Sequence, residues 1–219
     1  MRFLTQIGLG LILLTGWFSL AHAEDQGPRI VVEQAANEVL DILKKDGDKI
    51  RNNPDEIVNL ANDLILPLFD FDKMSYFVLG KSWTEASDQQ KQDFQREFKR
   101  LLIATYTKAI SEFSDDREII YKDTVVSPKN TNVAMVPTEI RQKGGAPINV
   151  AYRMFQSESQ WRIYDVVIDG VSLVTNYRAN FAGQVRSNGL DGLIASLSKH
   201  NQPQDQVKAA TIQPASQTN

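Results

Sequence analysis

Side chains able to do acid–base or nucleophilic chemistry are sparse in this chain of 219 residues. It contains no cysteine and two histidines, His22 and His200, both outside the region in which a core is expected. Zinc sites, Ser-His-Asp and Cys-His nucleophiles, histidine-ligated haem and thiol redox chemistry all need side chains that this region lacks. Carboxylate, Lys, Ser and Tyr chemistry remains. Asp165 and Asp169 stand at and just beyond a predicted last strand. A carboxylate inside a cone-shaped pocket could act as general base, with a tyrosine as proton donor. The more ordinary reading makes Asp169 the polar partner of the turn at Gly170 and leaves Asp165 facing solvent or hydrogen-bonded to backbone. Arg178 and Arg186 could contact a phosphate at a pocket mouth, or simply solvate a helix surface. No residue is assigned a catalytic role, no metal-ligand spacing or phosphate loop is found, and no metal or cofactor is expected.

The elements that would carry these residues follow from pattern. A formal charge of −3 makes the chain a poor candidate for gripping nucleic acid, while 42% hydrophobic residues suffice for a core without disulfides or metals. Arg2, the apolar run Ile7 to Leu14 and the small-x-small sequence Ala21-His22-Ala23 read as an export signal over residues 1–23, cleaved before Glu24. Residues 24–200 then form a single domain, expected to be a soluble monomer, and residues 201–219 a disordered polar tail.

Pro28 and the apolar spacing of Val31, Val32, Ala35, Val39 and Ile42 predict a helix broken at Asp46-Gly47-Asp48. Asn53-Pro54-Asp55-Glu56 opens a second, closed by Pro67. Phe71 to Gly80 is a short apolar third. Ser87-Asp88-Gln89-Gln90 is a capping box for a long amphipathic helix over about residues 88–113. From Glu118 the period becomes two, with turns at 127–130, 143–145 and 157–160. Four antiparallel strands are predicted: Ile119 to Val126, Asn132 to Arg141, Ile148 to Gln156 and Trp161 to Ile168. Asp169-Gly170 leads into a helix from Val171 to Arg186, and Asn188-Gly189 into another from Leu190 to Lys199. The fold class is therefore α+β, a four-stranded antiparallel meander with helices packed on one face around an apolar interior.

That interior has two readings. Aliphatic and aromatic side chains at strand and helix spacing ordinarily form a packed core. Met135, Tyr152, Met154, Phe77, Phe98 and Tyr106 would also suit a cavity for an apolar ligand, because they are long, deformable or aromatic. Two stretches favour the cavity: ILPLFDFDKMSYFVLGKSW (Ile65 to Trp83) followed by DQQKQDFQREFKRLLIATY (Asp88 to Tyr106), and WRIYDVVIDGVSLVTNYRANFAGQVRSNGLDGLIASL (Trp161 to Leu197). In this order, after an export signal, they resemble the MlaC family, also called the toluene-tolerance auxiliary family, over about Arg29 to Lys199.

The resemblance implies a periplasmic carrier, not an enzyme. Its cargo would be a glycerophospholipid, with the acyl tails between sheet and helices and the headgroup towards solvent. Its expected partners are an outer-membrane lipoprotein-porin complex and an inner-membrane ABC transporter complex carrying an MCE-domain ring. From the apolar pattern, the lipid-facing residues are expected to be Phe77, Phe98, Leu102, Tyr106, Met135, Ile148, Val150, Tyr152, Met154, Ile163, Val167 and Val171. Strand parity could exchange inward and outward sets by a slip of one residue. Two competing functions are a small-pocket enzyme acting on a hydrophobic carbonyl compound and a periplasmic chaperone for lipoproteins or hydrophobic peptides.

Overall fold

The expected punctuation sets most helix boundaries. The computed structural model describes residues 27–111, 117–142 and 144–202; the export signal expected over residues 1–23 and residues 203–219 lie outside them. Helix α1 (Pro28–Asn52) has Pro28 at its start and is interrupted at Asp46, whose φ of −121° and ψ of 16° leave the helical region. The chain resumes helix at once, so the predicted break is a kink. The Asn53 side chain accepts the Asp55 N–H and opens α2 (Pro54–Leu60), which relaxes into a π turn (Ala61–Ile65) and a 3-10 turn at Pro67. Asp70 caps α3 (Phe71–Leu79) by accepting the Lys73 N–H at 2.8 Å. Gly80, at φ +58°, turns the chain into the short α4 (Lys81–Glu85). The capping box is reciprocal: the Ser87 N–H donates to Gln90 Oε1 and the Gln90 N–H to Ser87 Oγ, and from it runs α5 (Asp88–Ser111).

The sheet has six strands rather than four. Strands β1 (Glu118–Tyr121) and β2 (Val125–Ser127) divide the single first strand that was expected, and both pair with β3 (Asn130–Arg141). Pro137 in β3 accounts for the division. Its carbonyl accepts the Lys122 N–H at 2.9 Å, so the side of β3 facing residues 122–124 is the side on which proline has no N–H to give. Then come β4 (Ile148–Ser157), β5 (Gln160–Ile168) and β6 (Val171–Ser172), antiparallel in the order β1-β3-β4-β5-β6. Residues Val171 and Ser172, expected to start a helix, instead fold back on Val167 and Ile168 across a turn in which Asp169 and Gly170 both have positive φ. Ser172 then caps α6 (Leu173–His200), accepting the Thr175 N–H. The two last helices expected are one element with a break at Gly189 (φ +68°).

Helices cover one face of the sheet. Phe71, Met74 and Val78 of α3, Phe94, Phe98 and Leu102 of α5 and Leu173, Tyr177, Phe181 and Leu193 of α6 form one core with Ala134, Val136, Val150, Met154, Ile163 and Val166. A separate small cluster, Leu43, Ile50, Ile57 and Leu60, ties α1 to α2. The far end of α6 is locked down by Asn201. Its side-chain N–H groups reach the Glu97 carbonyl oxygen at 2.9 Å and the buried Glu97 carboxylate at 3.0 Å. Asn201 was expected to begin a disordered tail; it is buried, and the folded part extends at least that far.

Candidate functional site

The core is not equally closed along its length. Around the first half of α5, Phe94 and Phe98 stack at 5.4 Å, and Phe98 meets Tyr177 edge-on at 5.1 Å and Phe181 at 6.0 Å. Phe94, Phe98, Met74 and Leu193 have no exposed surface. Towards the β1 side of the sheet the packing is looser. Val31, Tyr106, Tyr121, Ile140, Ile148, Tyr152 and Ile168 pack against the same core but remain partly exposed. Register aligns several of them in adjacent rows on the helix-covered face: Tyr121 opposite Thr138, Thr138 opposite Val150, Val150 opposite Ile168, and Ile140 opposite Ile148. This half-open end, lined by aliphatic side chains and phenols, is the candidate site.

Its hydroxyls are hydrogen-bonding groups, not acids. Burial pushes the Tyr106 phenol up to about 12, and the Tyr177 hydroxyl bonded to it adds to the shift. Burial likewise takes Tyr121 up to about 12, with Tyr152 and Glu33 reinforcing and Arg29 opposing. Tyr152 and Tyr177 are raised for the same reason, partly offset by bonds to Thr138 and to Thr105 and Tyr106 respectively. Each phenol therefore keeps its proton at neutral pH, and none is poised for proton transfer there. The Tyr121 hydroxyl is the exception to that bonding: it is buried with no hydrogen-bond partner among the described residues.

The carboxylates are occupied. Asp165 is buried, and it accepts from Arg153 Nη1 at 3.1 Å, Ser172 Oγ at 2.7 Å and the Val174 N–H at 3.0 Å. It pins the start of α6 to the sheet and does not face solvent. Asp169 accepts the Asn149 N–H at 2.9 Å, so its carboxylate ties the turn to β4 rather than partnering Gly170. Among the described residues no group of three or more His, Asp or Glu could hold a metal ion, and no helix is long and apolar enough to cross a membrane.

Of the twelve residues expected to face a ligand, Phe98, Leu102, Val150, Met154 and Ile163 are buried in the main core. Tyr106, Ile148 and Tyr152 line its half-open end. The other four are placed elsewhere. Phe77 is on the outer side of α3, with its ring 5.4 Å from both Tyr76 and Tyr164, because α3 turns Phe71, Met74, Ser75 and Val78 inward. Met135 pairs with Arg153, on the face of β3 opposite to Ala134 and Val136. Val167 is displaced by a bulge in β5. Ile163 pairs with Met154 and Asp165 with Arg153, so Tyr164 is an extra residue, and beyond it Val166 and Ile168 take the inward positions. Val171 is 58% exposed on the edge strand β6.

Sequence reasoning missed Val31, Tyr121, Ile140 and Ile168. Tyr121, Ile140 and Ile168 lie in strands whose alternation is legible but whose register is not, and Val31 lies on the apolar stripe of α1. Arg178 and Arg186, weighed as phosphate contacts, both border a cleft of about 300 Å³ between the α3–α4 turn and α6.

An open antiparallel sheet, helix-covered on one face and with an apolar interior closed at one end and half-open at the other, defines a fold able to enclose a hydrophobic ligand. The family model "MlaC protein" matches residues 33–199, and the chain belongs to the MlaC family. It is 25% identical over 210 residues to the toluene tolerance protein ttg2D of Pseudomonas putida, covering 93% of this chain and 96% of that protein. It is 23% identical over 206 residues to the intermembrane phospholipid transport system binding protein MlaC of Haemophilus influenzae, covering 87% and 95%. The fold is also similar to the solved structure of a phospholipid-binding protein from Ralstonia solanacearum in complex with a phospholipid. The TM-score is 0.74 at 27% identity, over 84% of this chain and 99% of the other.

Proposed function

We propose that this chain is a phospholipid carrier of the periplasm, moving glycerophospholipids between the outer and inner membranes and catalysing no reaction. The observation that carries the reading is the agreement in fold, over most of both chains, with a protein solved with a phospholipid in place. The half-open end lined by Tyr106, Tyr121, Ile140, Ile148, Tyr152 and Ile168 is the entrance for the acyl tails, and Leu102, Val150, Met154 and Ile163 are the inner wall that moves apart to receive them, while Phe98 stays in the closed aromatic cluster. Burying lipid tails is worth ~0.8 kcal/mol per methylene, so a two-tailed lipid with about thirty of them would be penalised by ~24 kcal/mol if left in water. A carrier must enclose the tails nearly as completely as a bilayer does, and the ligand then supplies the contacts that the half-open end lacks. Its partners are an outer-membrane lipoprotein-porin complex and an inner-membrane ABC transporter complex with an MCE-domain ring, met by a monomer that needs no cofactor.

Organic extraction of the purified protein followed by mass spectrometry tests the carrier reading. Glycerophospholipid at close to one molecule per chain is expected. A protein from a membrane-containing host that yields no lipid overturns it, and a co-purified peptide in place of lipid would indicate a chaperone.

A further inference from the structure

Most arginines whose contacts are described have a partner. Arg29 meets Glu33, Arg96 meets Asp93 and Glu97, Arg100 meets Glu97, Arg141 meets Glu139 and Arg153 meets Asp165, each within 4 Å. Arg162 donates to the Pro67 carbonyl and to Gln160. Arg178 and Arg186 meet no carboxylate among the described residues, and both border the cleft between the α3–α4 turn and α6. They are eight residues apart on one helix, about 12 Å along its axis. The stretch between them supplies Phe181 and Val185 to the floor, which Leu79 completes from α3. The Arg178 guanidinium lies over Gly80, with Nη2 3.5 Å from the point a Cβ would occupy there, and Ser82 borders the same space. In a chain of net charge −3, two guanidiniums with no carboxylate partner among the described residues, flanking an apolar floor, are a specific arrangement.

From this we infer that the cleft is a binding site for the phosphate ester of an amphiphile: the phosphate held by Arg178 and Arg186, and the first carbons of its apolar part laid on Leu79, Phe181 and Val185. Guanidinium presents paired N–H donors in the geometry of phosphate oxygens, so such contacts are charge-assisted and often bidentate. Inorganic phosphate could use the same donors without the floor, which makes the difference between the two ligands informative. The inference rests on the cleft alone and goes beyond the enclosure of acyl tails at the half-open end.

The test is a titration of the purified protein with dihexanoylphosphatidylglycerol and, separately, with inorganic phosphate, followed by the amide NMR signals of Gly80 and Ser82. The short-chain lipid is expected to move both signals, to bind at least tenfold more tightly than phosphate, and to lose at least tenfold in affinity in the R178Q/R186Q double variant. Unmoved signals, or equal affinity in the double variant, overturn the site. Phosphate binding as tightly as the lipid overturns the role of the floor, and a hexaglutamate peptide moving the same signals as strongly as the lipid overturns the assignment in favour of an acidic protein partner. The carrier reading is judged on wild-type lipid content alone, which distinguishes its failure from failure of the cleft. Repeating the titration on lipid-loaded and delipidated protein separates the sources. Signals already shifted in the loaded protein identify the cargo's own phosphate, and a further equivalent bound by loaded protein identifies an external one.

Discussion

The two ends of the interior are built from similar residue types and differ in how they are filled. At the α5–α6 end, Phe94, Phe98, Tyr177 and Phe181 make ring contacts at 5.1 to 6.1 Å, and the largest side chains have no exposed surface. At the β1 side, Tyr106, Tyr121, Tyr152 and four aliphatic neighbours touch the same core but stay partly exposed, and one phenol is buried without a partner. A close-packed region gains its stability from contacts within the chain and has little capacity to admit another molecule. A region that leaves apolar surface partly wet keeps that free energy available to a ligand. One end is therefore the frame that keeps the fold, and the other is the part that can change with cargo.

The largest effect that this contrast anticipates is at the closed end. Phe98→Ala should lower unfolding stability by about 3–5 kcal/mol, the range for large-to-small changes in a filled core, measured by urea denaturation of the delipidated protein. A loss below about 1 kcal/mol would mean that this end is not close-packed. At the open end, Ile148→Asp should reduce co-purified lipid at least tenfold, read by mass spectrometry, while the far-ultraviolet circular dichroism stays that of a folded protein. Unfolding instead would make Ile148 part of the frame.

Alkaline titration should also divide the two ends from solvent-facing tyrosines. The Tyr106 and Tyr121 phenols sit near 12 when folded, against about 10 when unfolded. The folded protein therefore holds more protons than the unfolded chain between pH 10 and 12. Their contribution to stability is complete below pH 10 and falls as pH rises through that window. Tyrosinate absorbance from these two phenols should accordingly appear late and together with unfolding. Early, independent ionisation of all six tyrosines would show that the open end is fully wet.

The smallest effect expected is that of Tyr121→Phe, which removes a buried hydroxyl with no partner. Stability should be unchanged or rise by up to about 1 kcal/mol. A loss of more than that in the lipid-free protein would require a hydrogen bond that the structure does not contain.

Which residues belong to which end was only partly legible in advance. Phe98, Leu102 and Tyr106 fall on the inward stripe of a helix whose period and cap are explicit in the sequence, and the structure places all three against the core. The strand assignments depended on unbroken alternation. That holds for β4, where Ile148, Val150, Tyr152 and Met154 share the inward face. It fails in β5, where Tyr164 adds one residue and exchanges Val167 for Val166 and Ile168. A bulge leaves no mark in composition, since any residue can occupy it, and its parity effect is settled by the partner strand. Val171 shows the same dependence. Its apolar character suits an interior, but the turn at Asp169-Gly170 places it on an exposed edge.

The chain alone determines its helices through caps, prolines and apolar period, the presence of an antiparallel sheet through alternation and turns, and the absence of cysteine, with both histidines outside the expected core, through composition. These are local or compositional properties, fixed by backbone sterics, hydrogen bonding within a few residues and residue identity. Tertiary structure decided the split of the first strand opposite Pro137, the register beyond Tyr164, the engagement of Asp165 with Arg153, Ser172 and Val174, the meeting of Arg178 with Gly80 in the α3–α4 turn, and the cleft there that Arg186 also borders. Each of these joins residues distant in sequence or depends on a neighbouring strand, and no period along a single segment encodes which partner will be there.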